Sequence, residues 1–110
     1  MPKHIEQVNE LLRKETAFSI RRDLELPDVL VTVVKVDCTQ DLKEAKVWIS
    51  VLPDNKAGST MGKIRKQQGL IYTALKKNTV LRQIPVLEFI FDDTQKHAAE
   101  IDEVISQAEY

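Results

Sequence analysis

Apolar residues recur along this chain with two different periods, and the changes of period divide it into elements. Between Lys3 and Leu24, Ile5, Val8, Leu11, Leu12 and Ile20 fall near a 3.6-residue repeat with no Gly or Pro among them. That spacing predicts a long amphipathic helix, with Arg13, Lys14, Arg21 and Arg22 off its apolar stripe. Leu26-Pro27-Asp28 stops it, because Pro27 biases its predecessor toward extended backbone and Pro-Asp favours a turn. The period then drops to two. Val29 to Cys38 is rich in β-branched residues, and strict alternation puts Thr32, Val34, Val36 and Cys38 on one face, with Val31, Val33, Lys35 and Asp37 on the other. Glu44 to Leu52 alternates cleanly, with Ala45, Val47, Ile49 and Val51 on the inner face and Lys46, Trp48 and Ser50 opposite. The short connection at 39–43 makes an antiparallel hairpin the default.

Helical spacing returns after Pro53-Asp54-Asn55, with Ser59 or Thr60 as the expected N-cap. Met61 and Ile64, then Ile71 and Leu75, recur on either side of Gly69, which predicts two short helices meeting at that glycine. Pro85 leads into a third strand, Val86 to Phe91, whose Leu87, Phe89 and Phe91 should face the helices. Asp92-Asp93-Thr94 offers an N-cap for a last helix with Ala98, Ile101, Val104, Ile105 and Ala108 as its stripe. The order α-β-β-α-α-β plus a C-terminal helix describes an α+β domain, a three-stranded sheet with helices on one face. Its expected core joins Val34, Val36, Val47, Ile49, Val51, Leu87, Phe89 and Phe91 to Val8, Leu12, Ile64, Ile71 and Leu75.

Charge changes this picture most. The stretch from Lys56 to Arg82 contains Lys56, Lys63, Arg65, Lys66, Lys76, Lys77 and Arg82 and no acid, although the whole chain carries only −1. From Glu88 onward the bias reverses, with seven acids against Lys96. Such segregation suggests a surface for a polyanion, presented by two neighbouring helices and a helix N-terminus. The competing reading of the lysines is a solvated helix pair that keeps the protein soluble.

Composition adds bounds. At 110 residues, 43% hydrophobic and 30% charged, the chain fits one globular domain spanning 1–110. Its single cysteine, Cys38, excludes an internal disulfide framework and suits a buried thiol in a reducing cytosol. No apolar run is long enough for a bilayer, and Met1-Pro-Lys-His-Ile5 lacks a signal core. A cytoplasmic protein without membrane attachment is expected.

Catalytic chemistry finds no convergent site in the sequence. His4 and His97 are isolated, and neither Cys-x-x-Cys nor His-x-x-x-His spacing is present for a metal. No phosphate-cradling Gly-rich loop occurs. Asp92-Asp93 reads as a helix cap before a catalytic dyad, and Trp48 as sheet packing before a base-stacking platform. No enzyme, cofactor or metal site is expected.

Three stretches carry a resemblance to a known family: Val8-Asn9-Glu10-Leu11-Leu12-Arg13-Lys14-Glu15, Ala45-Lys46-Val47-Trp48-Ile49-Ser50-Val51-Leu52 and Arg82-Gln83-Ile84-Pro85-Val86-Leu87-Glu88-Phe89. Their order and spacing, over essentially the full chain, resemble bacterial ribosome-binding factor A. The resemblance implies a type II KH-like domain in which an Ala-x-Gly kink between two helices replaces the usual Gly-x-x-Gly RNA loop. The matching residues are Gln67-Gln68-Gly69, so a larger polar side chain stands where the family has alanine, and Gly69 suits a positive φ or a close backbone approach. The implied function is non-catalytic. Such a factor binds 16S rRNA on free 30S subunits rather than translating ribosomes, assists late maturation and rRNA processing, and protects against cold shock. The expected RNA-binding set is Arg13, Lys14, Arg21, Arg22, Lys56, Lys63, Arg65, Lys66, Gln68, Gly69, Lys76, Lys77 and Arg82, on a monomer. A protein-interaction module with an acidic C-terminal docking helix and no RNA role is the alternative.

Overall fold

The computed structural model describes residues 2–93, with side chains from residue 4 onward. The elements are α1 (Pro2–Asp23), β1 (Leu30–Cys38), β2 (Glu44–Leu52), α2 (Ala57–Lys66), α3 (Gln68–Asn78) and β3 (Val86–Phe91), with a 3-10 turn at Asp54–Lys56 before α2. The expected C-terminal helix lies outside the described residues. The sheet order is β1-β2-β3; β1 runs antiparallel to β2, and β3 parallel to it. A parallel neighbour needs a crossover, and α2 and α3 supply it.

Burial explains the layering. The inward faces of β2 and β3 are the expected ones, with Ala45, Val47, Ile49, Val51, Leu87 and Phe89 all buried. Val8, Leu12 and Ile20 of α1, Met61 and Ile64 of α2, and Ile71 and Leu75 of α3 complete one core. Phe91 packs against it half-buried. α1 lies along β1 and α3, while α2 covers β2 and β3.

β1 departs from strict alternation. Val33 pairs with Ile49 and Lys35 with Trp48, so Val34 is an extra, unpaired residue. This bulge flips the strand's facing: Val33, Val36 and Cys38 point inward, while Val34 is 46% exposed. Val34 therefore leaves the expected core and Val33 replaces it.

The helix pair also differs in detail. α2 begins at Ala57, so Ser59 and Thr60 sit inside its first turn and neither caps it; Ser59 Oγ instead donates to Lys56 O at 3.2 Å. The two helices meet at Gln67 rather than at Gly69. Gln67 has φ −103° and ψ 13°, a bridge-region conformation open to any residue. No glycine has a positive φ, and Gly69 is the second residue of α3 with open space where a Cβ would project. The expected positive φ at Gly69 is thus absent.

Helix side chains cap individual backbone groups on both outer edges of the sheet. On β3, alternate residues face away from β2, and among them Leu87 N–H donates to Tyr72 Oη (2.6 Å) while Phe89 O accepts from Arg65 Nη2 (2.8 Å). On β1, Cys38 N–H donates to Asn9 Oδ1 at 2.8 Å. Such caps occupy groups that an exposed edge would offer to another strand. Burial together with Asp41 and Asp37 pushes the Cys38 thiol above its ordinary pKa, as suits a structural cysteine.

Candidate nucleic-acid interface

The cationic side chains reach the surface because each is excluded from a helix stripe that packs inward. On α1 the buried positions are Val8, Leu12, Thr16, Ser19 and Ile20, which leaves Lys14, Arg21 and Arg22 exposed. On α2 and α3, burial of Thr60, Met61, Ile64, Ile71, Ala74 and Leu75 turns Lys63, Lys66, Lys76 and Lys77 outward.

Tertiary packing brings some of them together. Since α1 lies beside α3, Arg22 and Asp23 share an open depression with Leu70, Thr73 and Lys77. Arg22 donates from Nε and Nη2 to the Asp23 carboxylate (3.0 and 3.1 Å), and Ser19 Oγ donates to the same group (3.0 Å). These bonds, Arg22 first, hold the Asp23 carboxyl below its ordinary pKa, and the Lys77 charge adds to them. Asp23 so orients Arg22 over the depression while offsetting part of its charge. A second depression sets Lys56 and Lys63 against the turn after α1, at Pro27 and Asp28. Asp28 itself has φ 63°. Gln67 ties this area to the helix junction: Nε2 donates to Lys63 O at 3.2 Å and Oε1 lies 3.5 Å from Glu25 N.

Other members of the expected set lie apart. Arg65 reaches β3 and spends a guanidinium N–H on Phe89 O. Arg13 is half-buried, paired with Glu10 and set beside Val34–Val36 of β1. Arg82 is exposed in the connection from α3 to β3; Gln68 is half-buried and Gly69 exposed at the start of α3.

One residue that the sequence reading passed over belongs to this surface. Phe18 is 53% exposed, with the Arg21 guanidinium 5.7 Å from its ring centroid. Its signal was available: helical spacing puts it off the Val8–Leu12–Ile20 stripe, one turn from both Lys14 and Arg22. Trp48, by contrast, is half-buried on the outer sheet face under Lys35, whose Nζ is 5.1 Å from the ring. Among the described residues no cluster of His, Cys, Asp and Glu is placed to hold a metal, and no helix is long and apolar enough to cross a membrane.

Comparison with known proteins follows the same direction. The family described as "Ribosome-binding factor A" matches residues 4–105. The ribosome-binding factor A of Akkermansia muciniphila is 39% identical over 101 residues, covering 92% of this chain and 81% of that protein. That of Thioalkalivibrio sulfidiphilus is 33% identical over 105 residues, covering 94% and 81%. Among solved structures, the crystal structure of ribosome-binding factor A from Thermus thermophilus superposes with a TM-score of 0.69 at 22% identity, over 79% of this chain and 93% of that one. A homology model of the Thermus thermophilus factor, as fitted into a cryo-electron-microscopy map of a 30S complex with that factor, gives 0.65 at 23% identity, over 77% and 91%. These structural neighbours share the KH-like fold.

Proposed function

The chain belongs to the ribosome-binding factor A family, and from that premise we propose that it binds the free 30S subunit through 16S rRNA and assists late maturation without catalysis. The observation that carries this reading is the convergence of Arg22 and Lys77, distant in sequence, on one depression between α1 and α3. Lys56 and Lys63 line a second depression beside α2, and Lys14, Arg21, Lys66 and Lys76 are exposed on the same three helices. Lys and Arg on rigid helices fix register on a phosphate backbone. A Thermus thermophilus relative has been fitted into a map of its 30S complex, which supports the same partner here. The mechanism is differential binding: a factor that prefers one rRNA conformation raises its population until processing is complete.

Reversal of Lys63, Lys66 and Lys77 to Glu tests it. The expected result is loss of co-sedimentation with purified 30S subunits, with an unchanged circular dichroism spectrum. Each phosphate contact removed should also flatten the log–log salt dependence of binding by roughly 0.7–0.9. Undiminished 30S binding by the folded triple variant would overturn the assignment.

A further inference from the structure

Phe18 has an environment that differs from that of an isolated surface apolar residue. Lys14, Arg21 and Arg22 lie three or four positions away on the same exposed side of α1, so the ring is bracketed by cations. The Arg21 guanidinium at 5.7 Å already marks the ring as a platform for a planar, polarisable group. One turn along, Arg22 opens onto the depression that holds Lys77 and Leu70, the latter 47% exposed. Aromatic surface beside two cations, with Asp23 offsetting part of the Arg22 charge, is an arrangement suited to an unpaired nucleotide, its base on the ring and its backbone on the charges. A duplex would use the cations and leave the ring uncovered, because its bases are already stacked.

We propose that Phe18 is a stacking platform for one unpaired base of the RNA, with the adjoining phosphate held by Arg22 and Lys77. This rests on the RNA-binding reading and sharpens it: the segment engaged at α1 is single-stranded. The excess of cations at this site favours a nucleic acid over an apolar protein surface. Because Phe18 is outside the buried core, its replacement should leave the fold intact.

The test compares Phe18→Ala, Phe18→Leu, Phe18→Trp and Lys77→Glu in the full chain, each checked for an unchanged melting curve and titrated against purified free 30S subunits. Stacking predicts that Phe18→Ala weakens binding by about 5- to 150-fold, the range for loss of one base–aromatic stack. Phe18→Leu should lose nearly as much, Phe18→Trp should retain affinity, and the salt dependence should be unaltered in all three. Full affinity in Phe18→Leu would mean an apolar protein contact and would overturn the proposal. If Phe18→Ala binds normally while Lys77→Glu is impaired, stacking is wrong and the RNA-binding reading stands. If neither change has an effect, stacking falls together with the assignment of RNA binding to the depression between α1 and α3.

Discussion

Replacing Gly69 by alanine should make this protein more stable. Gly69 is the second residue of α3, is exposed, lacks a positive φ, and has no heavy atom within 4 Å of the position a Cβ would take. The folded state thus accepts the methyl group without strain, and the unfolded chain loses freedom that glycine allowed it. Helix-interior scales put the difference near 0.8–1.0 kcal/mol, and Gly→Ala at compatible sites gives about 0.4–1 kcal/mol. A first-turn position belongs at the lower end, about 0.5 kcal/mol. For a domain of this size each kcal/mol moves the melting temperature by about 4–8 °C, so a rise of about 2–4 °C is expected. The hydrogen bond that Thr73 Oγ1 donates to Gly69 O at 3.0 Å involves only backbone at position 69 and should persist. Thermal unfolding followed at 222 nm measures the shift. A lower melting temperature would refute the reasoning, because it would require a left-handed or sterically closed backbone at that residue. A raised melting temperature with weakened 30S binding would locate the RNA backbone against Gly69.

Two further perturbations probe the scaffold. Arg65→Met removes the donor to Phe89 O while keeping much of the aliphatic stem, and should cost about 1–2 kcal/mol in urea unfolding. A stability-neutral Arg65→Met with impaired 30S binding would return Arg65 to the RNA surface. Val33→Ala should cost roughly 2 kcal/mol for the lost burial and its cavity, whereas Val34→Ala should stay within about 0.5 kcal/mol; equal costs would contradict the bulge.

How far the sequence foretold these features varies with the kind of information each needs. β2 was legible because only one assignment of Ala45, Val47, Ile49 and Val51 gives an apolar face. In β1, Val31, Val33, Val34 and Val36 allow either face, and the choice depends on the extra residue that pairing with β2 creates. Apolar spacing on either side of Gly69 points to a junction at the glycine, whereas the break falls at Gln67, in a bridge-region φ/ψ that propensity does not flag. The charge imbalance of 56–82 was plain. What it could not reveal is that Arg65 serves a strand edge, since that follows only from where β3 lies under α2. Arg22 and Lys77 become neighbours through helix packing, which no local pattern encodes.

The side-chain caps on the sheet edges bear on what happens to this protein in the cold. Cooling weakens the burial that holds helices to a sheet, because apolar hydration becomes less unfavourable. The bonds from Tyr72 and Arg65 to β3, and from Asn9 to β1, do not draw on that driving force. Each couples departure of a helix to exposure of a strand edge, so partial loosening and intermolecular strand pairing begin at the same step. While the helices stay docked, the capped groups are closed to strand pairing between copies, at temperatures where the hydrophobic core alone would hold those helices least firmly.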